Sequence, residues 1–431
     1  MTRVRAFRPV VSPIRTVLLL LGLGALVLPA AVAVVPVAAA ILPQCAWPLR
    51  VSADTTNIYL PDTSAVYWSM PYLVSSDLQI TITGGFPDAR YMSFNVYDSQ
   101  TRSFTSNGVS SALPDYEIAP DEASTNPWQD SAGPAGTFTV TLRMDAAGQA
   151  DTLPIAPAGT VDGRKGSVIY RVYLPTGGAN IPLPTITFTR NGGSTTLPTC
   201  ASSRTAAAAH TTDESDAPTP TPSASTAPGE DTRNWLQFAR TSELESMAPN
   251  ADNAYLSAWI APLADDEVAV IRAKAPRAAG GTHPAPWPAQ GVDVRYWSIC
   301  TNPEAPNSPV VVNRLADGTV DYGCRYDANT SLDRDGYFTY VIGTEAQRAT
   351  IEGIRGATFL PFSLDQPHAP HMVVLRNLLA AESFPFAVQR VVKDSGPSAA
   401  EAMLGAYYPR VSICSLSRLT SDDSTACGSG G

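Results

Sequence analysis

The chain contains the sequence Arg-Tyr-x-Ser twice, at Arg90 in "RYMSFNVYD" and at Arg295 in "RYWSICT", each time where apolar and polar residues alternate as in a half-buried strand. The neighbours repeat as well. "PDTSAVYWS" from Pro61 and "PNADNAYLS" from Pro249 each follow the proline with an acid or amide and then a tyrosine, Tyr67 or Tyr255. "GTFTV" at Gly136 meets "GYFTYV" at Gly336, and "VIYRVYLP" around Arg171 meets "VVLRNLLA" around Arg376. Arg90 to Arg171 spans 81 residues, and so does Arg295 to Arg376. Four matches in one order, with one spacing kept, read as a tandem duplication, so the chain is expected to form two similar units.

Composition places the boundary between them. Residues 201–232 are rich in Ala, Thr, Ser and Pro, with no aromatic or large aliphatic side chain. Such a stretch cannot bury enough apolar surface to offset its ordering entropy and reads as a disordered tether whose Thr-Pro pairs suit O-glycosylation. It separates a first domain, 41–200, from a second, 233–431, and a flexible tether leaves their mutual geometry unset. The second copy is longer: Tyr67 to Arg90 is 23 residues, whereas Tyr255 to Arg295 is 40. "APRAAGGTHPAPWPAQG" supplies the 17 extra residues, and its Pro and Gly content marks an inserted loop.

Residues 1–40 carry four arginines and then 24 uncharged residues, Val17 to Ala40. This is the pattern of a secretory signal, with small residues for cleavage after Ala33 or Ala40. Left uncut, residues 17–40 are long enough to anchor the chain in a membrane with its body outside. Losing this segment moves the net charge from −10 to −14. An acidic exported body with no basic stripe argues against nucleic acid as a partner. Six cysteines in an exported chain read as disulfides. Order along the chain suggests Cys45 with Cys200, Cys300 with Cys324, and Cys414 with Cys427. No CxxC supports a redox or zinc role.

Within each copy the period is mainly two. Leu78, Ile80 and Ile82 alternate with polar neighbours, and Met92, Phe94 and Val96 alternate with Tyr91, Ser93, Asn95 and Tyr97. With Gly, Pro and Asn punctuation this predicts a mainly β fold, two tandem antiparallel sandwiches or jelly rolls with a few short helices. Helix is expected at "WLQFARTSELESM" near residue 235 and at "PSAAEAMLGAYY" near residue 400. "YLPDTSAVYWSMPYL", "FPDARYMSFNVYD" and "FLPF...VVLRNLL" resemble a family of uncharacterised secreted actinobacterial proteins and, more distantly, paired β-rich bacterial domains of unknown function. The resemblance implies two β-rich domains and a place outside the membrane; it implies no activity.

No residue set dictates a reaction or a cofactor. The first half has no histidine, which excludes a self-contained Ser-His-Asp triad or histidine metal site there. No GxSxG, HExxH, phosphate loop or dinucleotide fingerprint occurs. His368 and His371 in "HAPH" read as a loop rather than a metal pair, because Pro370 disfavours a helical i,i+3 arrangement. Asp327, Asn329 and "DRDG" from Asp333 read as turns rather than a calcium loop. Arg90, Ser93, Arg171, Arg295, Ser298 and Arg376, shared by both copies, are expected to hold the fold.

Two classes of function remain. One is a non-catalytic envelope protein binding a glycan, lipid or protein through aromatic surfaces: Tyr67, Trp68, Tyr91 and Tyr97 in one half, Tyr255, Trp259, Tyr296 and Trp297 in the other. The other is a secreted hydrolase using paired carboxylates, for which Asp115, Glu117 and Asp121 are the densest acid group near aromatics.

Overall fold

The computed structural model describes residues 43–130, 135–178, 181–201, 233–244 and 247–421. The signal-like segment 17–40, the linker from residue 202, His210 and Cys427 lie outside those residues. The chain is mainly β, as its alternation predicts.

In the first half the strands are β1 (Leu49–Val51), β2 (Ala65–Leu73), β3 (Gln79–Gly85), β4 (Ala89–Tyr97), β5 (Ala112–Pro114), β6 (Thr137–Arg143), β7 (Thr152–Pro154), β8 (Lys165–Pro175), β9 (Thr185–Arg190) and β10 (Gly193–Leu197). They form two sheets, ordered β1-β2-β8-β4-β5 and β10-β9-β3-β6-β7. In the second half they are β11 (Asn253–Ile260), β12 (Glu267–Lys274), β13 (Val294–Pro303), β14 (Cys324–Tyr326), β15 (Tyr337–Gly343), β16 (Ala357–Pro361), β17 (His371–Ala380) and β18 (Arg410–Ser415). These form sheets ordered β11-β17-β13-β14 and β16-β15-β12-β18. Strand for strand, β2-β8-β4-β5 has the order of β11-β17-β13-β14. The other two sheets correspond likewise, down to a parallel pair at one edge, β6 with β7 and β15 with β16.

The repeated residues hold the same register in the two halves. Arg171 on β8 stands opposite Ser93 on β4 and Tyr67 on β2; Arg376 on β17 stands opposite Ser298 on β13 and Tyr255 on β11. A slip of one residue would turn either arginine into the hydrophobic core, so the pairing register is strictly constrained even where loop length differs.

Both faces of β4 and β13 are covered, and every residue of each is buried. One face is the sandwich core. Met92, Phe94 and Val96 meet Ile80, Ile82, Phe138 and Val140 in the first half, and Trp297 and Ile299 meet Ile271, Phe338 and Tyr340 in the second. The other face meets the opposite half. Ala65, Tyr91, Tyr173 and Leu174 cluster there with Tyr296 and Leu378. The tether therefore does not leave the halves without set geometry: residues 40–431 are one compact unit.

Cys45 is bonded to Cys200 and Cys300 to Cys324. Cys414 is disulfide-bonded too, and its expected partner Cys427 lies outside the described residues. Helix α1 (Pro397–Leu404) falls where expected, with proline in its first turn and Ala400 and Leu404 buried. The helix expected near residue 235 is not formed over the described residues 235–243. There Trp235, Gln237 and Ala239 bridge to Trp259, Arg410 and Ser257, and Phe238 enters the core. A short apolar segment fits either period, and here strand edges claimed its backbone. Among the described residues no helix is long and apolar enough to cross a membrane.

Candidate functional site

Three contacts between the halves are each made twice. Arg90 Nη1 donates to Asp327 Oδ2 at 2.5 Å, and Arg295 Nη1 donates to Asp115 Oδ1 at 2.6 Å. Asp115 and Asp327 each begin the 3-10 turn that follows β5 or β14, so each half supplies an arginine to the other's turn. Tyr296 donates to the Asp62 carboxylate at 2.9 Å, while Tyr91 donates to Asp252 and touches Asn250. Arg171 Nη2 donates to Ala248 O and Arg376 Nη2 to Leu60 O, both at 2.6 Å. Leu60-Pro61-Asp62 and Ala248-Pro249-Asn250 are the same turn in the two copies.

These groups are buried, and burial governs their protonation. Asp115 has no exposed surface, and desolvation pushes its carboxyl up to about 6 against the pull of Arg295 and the Met92 and Tyr116 N–H groups. Asp252 is likewise raised to about 6 by burial, restrained by the bond from Tyr91.

This interface corrects the reading of the aromatics as ligand surfaces. Trp68, Tyr91, Tyr97, Tyr296 and Trp297 are all interior. Tyr67 and Tyr255 are half-buried under Arg171 and Arg376, with cation-to-ring distances of 5.7 and 5.9 Å. Trp259, half-buried, lies under Arg233 at 5.0 Å. Ser93 accepts from Asn95, and Ser298 donates to Asp62 at 2.6 Å. Alternation shows which side chains share a face; it does not show that a second copy covers the face.

The acids and histidines of the sequence are also accounted for. Asp115 is held by Arg295 while Glu117 is exposed, so the two do not make a matched pair facing one opening. His371 sits buried at the start of β17, its Nδ1–H donating to Ala369 O and its Nε2 accepting from Ser363 N–H. Burial lowers its pKa to about 4, so it is neutral with both nitrogens occupied. Asp333 caps an Asp-Gly turn and accepts from Arg272, with Gly336 at φ +81°. Asp62, Cys300 and Cys324 lie close together, but both sulfurs are spent in the disulfide and offer no thiolate to a metal.

The opening best suited to a ligand is elsewhere. A cleft of about 830 Å³ lies on the second half, within the usual range for ligand sites. Phe384, Phe386 and Tyr407 line it, with Trp297 and Leu332 below. Phe386 stacks on Tyr407 at 5.3 Å and is 40% exposed, and Phe384 meets Tyr407 edge-on at 5.1 Å. Lys274, at the end of β12, holds its ammonium 5.8 Å from the Tyr407 ring. The Pro276–Gly280 stretch, where the extra residues of the second half begin, forms part of the wall. Farther along, the same insertion is bonded to the first half: Gly281 O accepts from Arg90 Nε, Trp287 N–H donates to Trp128 O, and His283 meets Asp88.

Of the sequence candidates, Trp297 and Asp327 reach this cleft. Phe384, Phe386, Tyr407 and Lys274 were missed. Their only signal was "SFPF", two phenylalanines about a proline in a segment with neither strand nor helix period.

No protein-family model matches the sequence, and no curated protein matches it significantly. In fold, the chain is similar to the crystal structure of an uncharacterised protein from Burkholderia cenocepacia, with a TM-score of 0.50 and 13% identity over 88% of this chain and 84% of that one. A Vibrio parahaemolyticus protein matches with a TM-score of 0.38 and 12% identity, over 82% of this chain and 89% of that one. At such identity the Burkholderia likeness is one of fold alone.

Proposed function

We propose that this is an exported, non-catalytic binding protein of the bacterial cell envelope, of an actinobacterial kind, that holds a glycan in the cleft beside Phe386 and Tyr407. Residues 1–40 direct export, by cleavage or as a membrane tether. The domains 41–200 and 233–431 arose by duplication, and 201–232 links them. Disulfides suit an oxidising compartment, which supports a place outside the cytoplasm.

The observation that carries the reading is the pairing of exposed aromatic rings with neutralised acids. Phe386 and Tyr407 offer apolar surface to a ring. The two carboxylates on the cleft walls are both engaged, Asp293 by Arg277 at 2.7 Å and Asp327 by Arg90. Glycoside chemistry needs one free carboxylic acid and one free carboxylate flanking the bond. Lipid, protein and polymer-hydrolysing roles are the outcomes against which this is tested.

The test is binding of the purified chain to cell-wall fractions, glycans and lipids, with products followed in the same tubes. Saturable glycan binding without turnover is expected. Phe386→Ala with Tyr407→Ala should weaken it at least about tenfold, roughly 1.4 kcal/mol. Release of product, or binding indifferent to both substitutions, would overturn the proposal.

A further inference from the structure

The cleft's charges point to a narrower ligand class, an inference that rests on the cleft being the ligand site. We infer that it takes an acidic saccharide, a sugar ring bearing a carboxylate, with the ring against Phe386 and Tyr407 and the carboxylate at Lys274. Four charged side chains line the walls. Arg277 is neutralised by Asp293, which accepts from its backbone N–H, Nε and Nη2. Asp327 is neutralised by Arg90 from the other half. Lys274 has no carboxylate at ion-pair distance among the described residues; its ammonium lies over the Tyr407 ring and acts on Asp293 only through space. The cleft therefore carries one surplus positive charge in a chain whose net charge is −10. Such a charge favours an anion, and low-dielectric aromatic walls focus its field.

The walls favour a sugar over an acyl chain. Arg277, Asp293, Ser383 and Gly280 add polar groups to the lining beside the rings. A sugar can use both parts of such a lining, hydroxyls on one and ring C–H groups on the other, whereas an acyl chain would leave the polar part unsatisfied. Among the described residues this wall belongs to the second half. The first half lacks the 17-residue insertion whose first turn makes the wall, so duplication of the fold did not duplicate the cleft.

The experiment titrates the full chain with short oligomers of glucuronate and of galacturonate, and with the same oligomers after carboxyl reduction. The acidic oligomers should bind about tenfold tighter than their reduced forms, with the preference shrinking at high salt. Lys274→Met and Lys274→Gln should remove the preference, so that acidic and reduced oligomers bind each variant alike; Phe386→Ala should weaken both kinds. Reduced oligomers binding as tightly as acidic ones, yet lost in Phe386→Ala, would overturn the acidic class and keep the cleft. A preference that survives both Lys274 variants would overturn the role of this lysine. No saturable binding of any oligomer would overturn the class, and intact glycan binding by wall fractions would then show whether the cleft reading stands.

Discussion

The first half reaches from Tyr67 to Arg90 in 23 residues and the second needs 40 for the same step. That difference separates a half that packs from a half that packs and also opens a cleft. On their facing sides the halves are nearly interchangeable: arginine to aspartate, tyrosine to a Pro-Asx turn, arginine to the carbonyl before that proline, each made in both directions. Such an exchange leaves each side little room to change, because a substitution on one half meets an unchanged partner on the other. The insertion has no counterpart in the first half: its first turn walls the cleft, and its later residues add contacts of their own to that half through Gly281 and Trp287.

The two arginine–aspartate pairs give the strongest way to break the comparison. Asp115→Ala leaves Arg295 buried without its carboxylate and orphans the Met92 and Tyr116 N–H groups. Removing one member of a buried pair costs about 3–5 kcal/mol. Asp327→Ala should cost less, because Asp327 retains 7% exposure and water can replace part of what is lost. Urea unfolding of the two variants measures the difference; equal losses would mean that the two directions of the exchange are energetically alike despite their unequal burial.

pH gives a second test, because buried groups are displaced in opposite directions, Asp115 and Asp252 upward and His371 downward. Asp115 in the first half is raised to about 6. The folded state binds its proton more tightly than the unfolded chain, so this contribution is full below about pH 4 and is lost as pH rises through 6. His371 in the second half is lowered to about 4 from 6.5, so its contribution is full above pH 6.5 and is lost as pH falls through 4. Each amounts to roughly 2–3 kcal/mol over that window. Asp115→Asn should make stability rise from pH 4 to 6.5 relative to wild type, and His371→Asn should make it fall. Unfolding midpoints at several pH values decide this; parallel profiles for all three proteins would refute both assignments.

Much of the fold was legible because it rests on local periodicity. Ile80, Ile82, Met92, Phe94 and Val96 announced a core face, and the equal 81-residue intervals encoded a register that one slipped residue would invert. Cysteine order anticipated the two described pairs. The other face of β4 is harder to read, because Tyr91 and Tyr97 look like a ligand surface until the other half covers them, and nothing local in a strand reports what lies beyond its side chains. The cleft was less legible still. Lys274 ends one strand, Phe386 sits in a loop more than a hundred residues later, and only the sheet order places them together.

The smallest effect is expected where the insertion's tip meets the first half. His283 and Asp88 are 2.8 Å apart, but their side chains are 68% and 54% exposed. An exposed pair of this kind contributes about 0–1 kcal/mol and is screened by salt. Deeper in, the insertion offers the carbonyls of Gly281 and Ala285 to Arg90 and Arg295, two buried cations that would otherwise lack those acceptors. Hydrogen bonds to charged groups are worth about 1.5–3 kcal/mol each, so the Gly281 carbonyl on Arg90, not the histidine, should fix the cleft wall to the other half, while Ala285 ties the insertion to Arg295 of its own half. His283→Ala is therefore expected to shift the unfolding midpoint barely and to leave glycan affinity unchanged. A loss of affinity in that variant would instead make the exposed tip the anchor of the wall, and would mean that the difference between the halves depends on a contact that salt can open.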